Sequence, residues 1–212
     1  MVERGGRVLI AGRSAQVLVD AVGLLRERGY GANASNQFDR LLDDYDVREV
    51  DLVIFGGMVP PATKQRLQAE IRELNPRVSF LQGLGGIAPL LVAQVEQFFE
   101  GAVPDVRYDA ATRTVRIGLS VAASVVVEAL WAAFTPEPVA RSAIVVDGEL
   151  AAGVHEIVMP VEVPVEGSYV TVRVGPRVCD IQIGETPRSV RRIAASGGLP
   201  ASVPVTTRHR WD

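Results

Sequence analysis

The chain has 212 residues, of which 48% are hydrophobic and 22% charged, so it can build packed cores for two ordinary domains. A net charge of −3 argues against general nucleic-acid binding, which usually requires a basic surface. No apolar signal core follows the N-terminus, no stretch reaches the roughly 18 apolar residues of a membrane span, and the single cysteine, Cys179, excludes an internal disulfide. We therefore expect a cytoplasmic protein without a membrane span.

The first hundred residues alternate strand and helix signals, which is typical of a parallel α/β sheet. Short apolar runs predict strands at 8–11, 31–35, 51–55 and 78–81, and apolar residues at helical spacing predict a helix after each. Gly29 is expected to end the first helix and Asn36 to cap the second, while Pro61 opens the third and Asn75 closes it. The pattern predicts a small three-layer α/β domain over residues 1–101.

Beyond residues 101–104, which have the composition of a linker, the hydrophobic period changes to two. Val115 and Ile117 alternate with polar residues, as do Val170 and Val172, and this alternation is typical of half-buried strands. Further strands are predicted at 124–131, 142–146 and 179–183, with turns at 109–112, 147–148, 152–153 and 166–167. About seven short strands predict an Ig-like β-sandwich over residues 105–185.

Residues 186–212 read as an extended basic tail that contains five arginines. Solvated disorder is the first interpretation of this tail, and docking to an acidic partner is the second.

The strand ends of the α/β domain carry the candidate site residues. A dinucleotide site needs several glycines in the first strand-to-helix turn, but this turn supplies only one. A plain tight turn is the first interpretation of its next two residues, and the second is that they hold an anion at the helix N-terminus. The candidate cofactor-binding residues are Gly12, Arg13, Ser14, Gly56, Gly57 and Gln82.

Residues 24–30, 51–60 and 71–76 resemble the corresponding segments of response-regulator receiver domains. This resemblance implies that Gly56 stands where receivers have their phosphoacceptor aspartate, and that Gly12 and Arg13 replace their acidic metal-binding pair. Aspartyl phosphorylation needs carboxylates at these positions, so the resemblance implies a pseudo-receiver.

Residues 50–57 also resemble a strand of the short-chain dehydrogenases, but no Tyr-x-x-x-Lys motif follows them. A truncated Rossmann-like domain therefore stays open as the alternative. In the second half, residues 145–156 and 166–175 resemble Ig-like modules of the flagellar hook-cap type, which implies assembly and binding.

The sequence therefore predicts a non-catalytic regulatory or structural protein that acts by protein–protein interaction. The alternative is a small nucleotide- or cofactor-binding enzyme with its site at the carboxyl ends of the parallel strands. His155 and His209 are too isolated to form a metal cluster, and no cofactor is predicted. The helix near residues 89–99 has more apolar residues than one sheet face needs, which favours a homodimer or a stable partner.

Overall fold

The computed structural model describes residues 5–134, 138–185 and 202–208. The chain divides into two compact units, Met1–Ala88 with Gly198–Asp212 and Pro89–Gly197. This division falls before the helix that the sequence pattern assigns to the α/β domain, and it groups the end of the tail with the first unit. Residues 186–201 and 209–212 of the expected tail lie outside the described residues.

The first unit contains one parallel sheet with helices. Its strands are β1 (Arg7–Ala11), β2 (Gly31–Ser35), β3 (Leu52–Phe55) and β4 (Ser79–Gln82), and its helices are α1 (Ala15–Glu27), α2 (Leu41–Asp44) and α3 (Pro61–Leu74). The strand order is β2-β1-β3-β4, and each neighbouring pair is parallel. The predicted α/β character is confirmed, and the carboxyl ends of all four strands share one edge of the sheet.

The central strands are buried on both faces, as their continuous apolar runs predict. Leu9, Val53 and Phe55 belong to one core cluster that also contains Leu67 and Ile71 of α3. The expected end of α1 is confirmed: Gly29 follows the helix with φ +86°, a left-handed conformation that glycine adopts without strain.

The predicted helix after β2 is wrong in its start and its length. A 3₁₀ turn occupies Phe38–Arg40 and α2 spans only Leu41–Asp44. Asn36 does not cap a helix, because its side chain hydrogen-bonds to the chain's C-terminal segment instead.

The second unit begins with α4 and continues into two antiparallel sheets. Its elements are α4 (Ala88–Glu100), β5 (Val106–Asp109), β6 (Thr114–Leu119), β7 (Ala123–Phe134), β8 (Pro138–Leu150), β9 (Gly153–Val158), β10 (Ser168–Val174) and β11 (Arg177–Gln182). The sheets have the orders β11-β10-β7-β8 and β5-β6-β9. Both contribute to one hydrophobic core, in which Val115 and Ile117 of one sheet lie with Val127, Val170 and Val172 of the other.

The turn predicted at residues 147–148 is wrong. Asp147 and Gly148 lie inside β8, because the β7–β8 ladder continues to Leu150. The ladder changes register where Val127 pairs with Val146 and Glu128 with Ile144, and this irregularity accommodates the additional residue.

Helix α4 is bonded to the β10–β11 hairpin of the same unit. The Glu96 carboxylate pairs with Arg173 of β10, and the Gln97 side chain accepts a hydrogen bond of 3.0 Å from the backbone amide of Asp180. The apolar residues Leu90 and Val92 are completely buried in the single chain. Phe98 of the same helix is 39% exposed, and the homodimer or stable partner stays a prediction.

Within the described residues, no helix is both long enough and apolar enough to cross a membrane.

Candidate functional site

Two of the predicted site residues meet at the carboxyl edge of the parallel sheet. Gly12 follows β1 and Gly56 follows β3, and the amide of Gly56 donates to the carbonyl of Ala11 at 2.8 Å. A Cβ atom at Gly56 would lie only 3.3 Å from the Cα of Gly12. This close approach of two backbones disfavours a side chain at position 56, since a Cβ atom there would require the turn at Gly12 to shift by a few tenths of an ångström.

Gln82 ends β4 at the same edge, and the chain's only lysine lies against it. The Gln82 Nε2 donates to the carbonyl of Phe55 at 2.8 Å, and its Oε1 accepts from the Lys64 ammonium at 2.6 Å. Partial burial lowers the pKa of Lys64. The first turn of α3 therefore brings a second ionisable group, Lys64, to the strand ends, in addition to Arg13.

The remaining predicted residues are less closely associated. Ser14 is the N-cap residue of α1, but its hydroxyl makes no capping hydrogen bond. Gly57 is exposed, and a Cβ atom added there would have no heavy atom within 4 Å. A cavity of about 210 Å³ lies beyond the end of β2 instead, and it is lined by Asn36, Gln37, Phe38, Asp39, Arg40 and Thr63. Among the described residues, no group of acidic, histidine and cysteine side chains could hold a metal ion.

A polar contact between β2 and the end of the chain was not predicted. Residues 202–208, which we call the C-terminal segment, run antiparallel along the outer edge of β2, with Ser35 opposite Thr206. The amide of Asn36 donates to the carbonyl of Val205 at 3.1 Å, and the amide of Thr207 donates to the carbonyl of Ala34 at 2.9 Å. The segment thus satisfies edge groups that a terminal strand would otherwise leave unpaired.

The Asn36 side chain holds the backbone of the C-terminal segment at two further points. Its Nδ2 donates to the carbonyl of Val203 at 2.6 Å, and its Oδ1 accepts from the amide of Val205 at 2.7 Å. Because one amide group pairs with both a carbonyl and an N–H, it acts as a short extension of the strand edge. These contacts recognise peptide backbone and are independent of the bound side chains.

The hydroxyl of Thr207 is bound more selectively. Its Oγ1 accepts from the amide of Ala34 at 2.7 Å and donates to the Oδ1 of Asn33 at 3.2 Å. Arg26 of α1 donates to the same Asn33 oxygen at 3.0 Å and to the carbonyl of Ala32 at 3.0 Å, which fixes the orientation of the Asn33 amide. Burial lowers the pKa of Arg26.

Tyr45 closes the far end of this arrangement. Its hydroxyl lies 2.9 Å from the carbonyl of Ala34 and 2.7 Å from that of Thr207, so its single proton is shared between the strand and the segment. Burial is the main cause that raises the pKa of Tyr45. Beside it, Arg208 pairs with the buried carboxylate of Asp44 at 3.4 Å.

Sequence reasoning missed this site because its signals lie about 170 residues apart. Asn33 and Ser35 are completely buried polar residues on a strand, and buried polar groups require partners. The β-branched run Val205-Thr206-Thr207 has the composition of a strand. Neither signal indicates the other as its partner.

Comparison of the chain with models of protein families, with curated proteins and with solved structures gave no match.

Proposed function

We propose that this protein is a non-catalytic regulatory or structural protein that acts by protein–protein interaction. In this proposal the outer edge of β2 is the interaction site, and it accepts an extended segment of a partner protein as an added strand. Strand addition derives its affinity from backbone hydrogen bonds and its specificity from alternate side chains.

The observation that supports this proposal is how the edge of β2 holds the C-terminal segment. The contacts of Asn36 with Val203 and Val205 are contacts with backbone, as in the recognition of a peptide. The apolar side chains of the segment are incompletely buried, because Val203 is 72% exposed and Val205 is only partly buried. A segment held mainly by polar contacts is exchangeable, so a partner segment that adds contacts of its own is able to replace it.

The strand order of the first unit supports the pseudo-receiver interpretation of this domain. The strand order β2-β1-β3-β4 equals the first four positions of the flavodoxin-like order that receivers share. Two antiparallel sheets of four and three strands, with one core, are the layout that the Ig-like proposal requires. We propose that the first unit is a receiver-like domain that has exchanged phosphotransfer for peptide binding.

One observation favours a second candidate, a nucleotide- or anion-binding site at the carboxyl edge of the sheet. Lys64 and Gln82 lie there beside the close approach of Gly12 and Gly56. A melting screen with ATP, NAD(P) and flavin discriminates the two functions, since a ligand at a hundred times its dissociation constant adds about 2.7 kcal/mol. Stabilisation that disappears in Lys64→Met would favour the second candidate.

A reversible lock tests the interaction site. Ser35 and Thr206 are a non-hydrogen-bonded pair of an antiparallel bridge, whose Cα atoms typically lie about 4.5 Å apart. That spacing suits a disulfide. In the chain with Ser35→Cys, Thr206→Cys and Cys179→Ser, oxidation therefore fixes the C-terminal segment on β2, and reduction allows the segment to leave.

The lock is used in affinity capture from the native cell, with the oxidised and the reduced chain as baits. We expect a partner protein that binds the reduced chain, is lost on oxidation and returns on reduction. The matched control carries Ser35→Cys and Cys179→Ser only, and its captured proteins should not depend on oxidation. Equal recovery in both states of the locked chain, or no recovery in either, contradicts the proposal.

A further inference from the structure

Given the proposed interaction site, we infer that its partner segment carries a serine or threonine hydroxyl at the position that Thr207 occupies. The site then recognises one side chain of the bound segment in addition to its backbone. This inference rests on the proposed function and names the chemistry of the ligand.

The argument begins with the amide of Ala34, which points out from the edge of β2. It donates to the Oγ1 of Thr207 at 2.7 Å rather than to a backbone carbonyl. A segment with an aliphatic side chain at this position would leave that amide without a partner. An unsatisfied buried donor weakens binding more than the net gain of an ordinary hydrogen bond.

The second requirement comes from Asn33, which is 1% exposed. Its Oδ1 accepts from Arg26 and from Thr207, so the ligand atom must donate to it while it accepts from Ala34. A hydroxyl donates and accepts through one atom, whereas a carboxylate has no proton to donate. The geometry therefore selects serine or threonine over aliphatic and acidic residues.

Thr206 provides a contrast within the same segment. Its Oγ1 lies 3.4 Å from the hydroxyl of Ser35, at the limit of a hydrogen bond, and within the described part of the chain it has no hydrogen bond with a backbone amide. Replacement of this hydroxyl should have little effect. The two neighbouring threonines therefore form a matched pair for a test of selectivity.

The occupant that we infer is a segment of a different protein rather than of a second copy. A second copy offers the same contacts as the chain's own segment, and a tethered segment competes at an effective concentration of about millimolar. At micromolar protein concentration, the segment of a second copy therefore does not displace the chain's own segment from β2. A partner succeeds by adding contacts outside residues 202–208 while it retains the hydroxyl.

The experiment uses full-length chains and a labelled, end-capped peptide with the sequence of residues 202–208. Thr207→Val in the chain weakens the internal competitor, so the peptide should bind this variant about 30-fold more tightly than it binds the wild-type chain. Thr206→Val in the chain is the control and should change the affinity less than about threefold. Fluorescence anisotropy measures the binding, and the amide NMR signals of Ala34 and Asn36 locate it.

Variant peptides separate the inference from the proposed function. The peptide with Thr207→Val should bind the Thr207→Val chain about 30-fold more weakly than the original peptide, and the peptide with Thr206→Val should bind as well as the original. If all three peptides bind equally at β2, strand addition stands and the hydroxyl inference is wrong. If no peptide binds the Thr207→Val chain, strand addition at β2 is itself wrong.

Discussion

Replacement of Asn36 by alanine should release the C-terminal segment without unfolding the first unit. The change removes the hydrogen bonds to Val203 and Val205, of 2.6 and 2.7 Å, and it leaves the backbone pairing of Asn36 intact. Each bond contributes about 1 kcal/mol net, so the docking of the segment should weaken by about 2 kcal/mol. This loss corresponds to about a 30-fold rise in the population of the released state.

Amide hydrogen exchange measures this release directly. The amide of Thr207 is bonded to Ala34 only while the segment is docked, so its protection should fall about 30-fold. The amide of Val53, in the central strand β3, reports global unfolding and should not change. Gln16→Ala is the control, since that exposed side chain donates to Asp20 within α1 and is not part of the contact with the segment. The reasoning is refuted if Thr207 loses less than about threefold protection, or if Val53 loses as much as Thr207.

Three further predictions concern other groups. Burial raises the pKa of Tyr45 above its ordinary value of 10.0, so its contribution to docking is complete below pH 10 and is lost as the pH rises through the raised pKa. Tyr45→Phe should remove this alkaline dependence of Thr207 protection, and an unchanged dependence would exclude Tyr45 as its source. Glu96→Ala should lower the free energy of unfolding of the second unit by about 3 kcal/mol in urea denaturation, because it leaves Arg173 without its buried partner. Glu156→Ala, in an exposed pair with Arg116, should cost less than about 1 kcal/mol, and similar losses would contradict the argument. Burial raises the pKa of Asp180 above 3.8, so the cost of its charge is absent below that pH and grows as the pH rises through the raised pKa. Asp180→Asn should therefore raise the melting temperature at pH 7 but not at pH 3. The control Asp147→Asn, at an exposed position, should show no such difference between the two pH values. An equal effect of Asp180→Asn at both pH values would refute the burial argument.

The elements of the first unit were predictable because local patterns specify them. Continuous apolar runs located β1 and β3, and Pro61 and Asn75 located the ends of α3. The region after β2 was mispredicted because asparagine has two common uses, helix capping and the pairing of extended backbone. The side chain of Asn36 serves the second use, and its partners, residues 202–208, lie at the other end of the chain.

The candidate site at the carboxyl edge was only partly predictable. Topology brings Gly12 and Gly56 together, because parallel neighbours end at the same edge of a sheet. Lys64 was not predicted there, since its approach to Gln82 depends on how α3 packs and not on its own sequence context. The C-terminal segment was predicted as extended, but composition cannot specify which strand edge an extended segment pairs with.

Disulfide formation in the purified chain with Ser35→Cys, Thr206→Cys and Cys179→Ser tests most directly whether the C-terminal segment lies on β2. The two cysteines replace residues that face each other across the bridge. We predict that mild oxidation yields an intramolecular disulfide within each monomer, with no free thiol by mass spectrometry and no dimer on a non-reducing gel. Free thiols after oxidation, or a disulfide that joins two chains, would contradict the docking of the segment within its own chain.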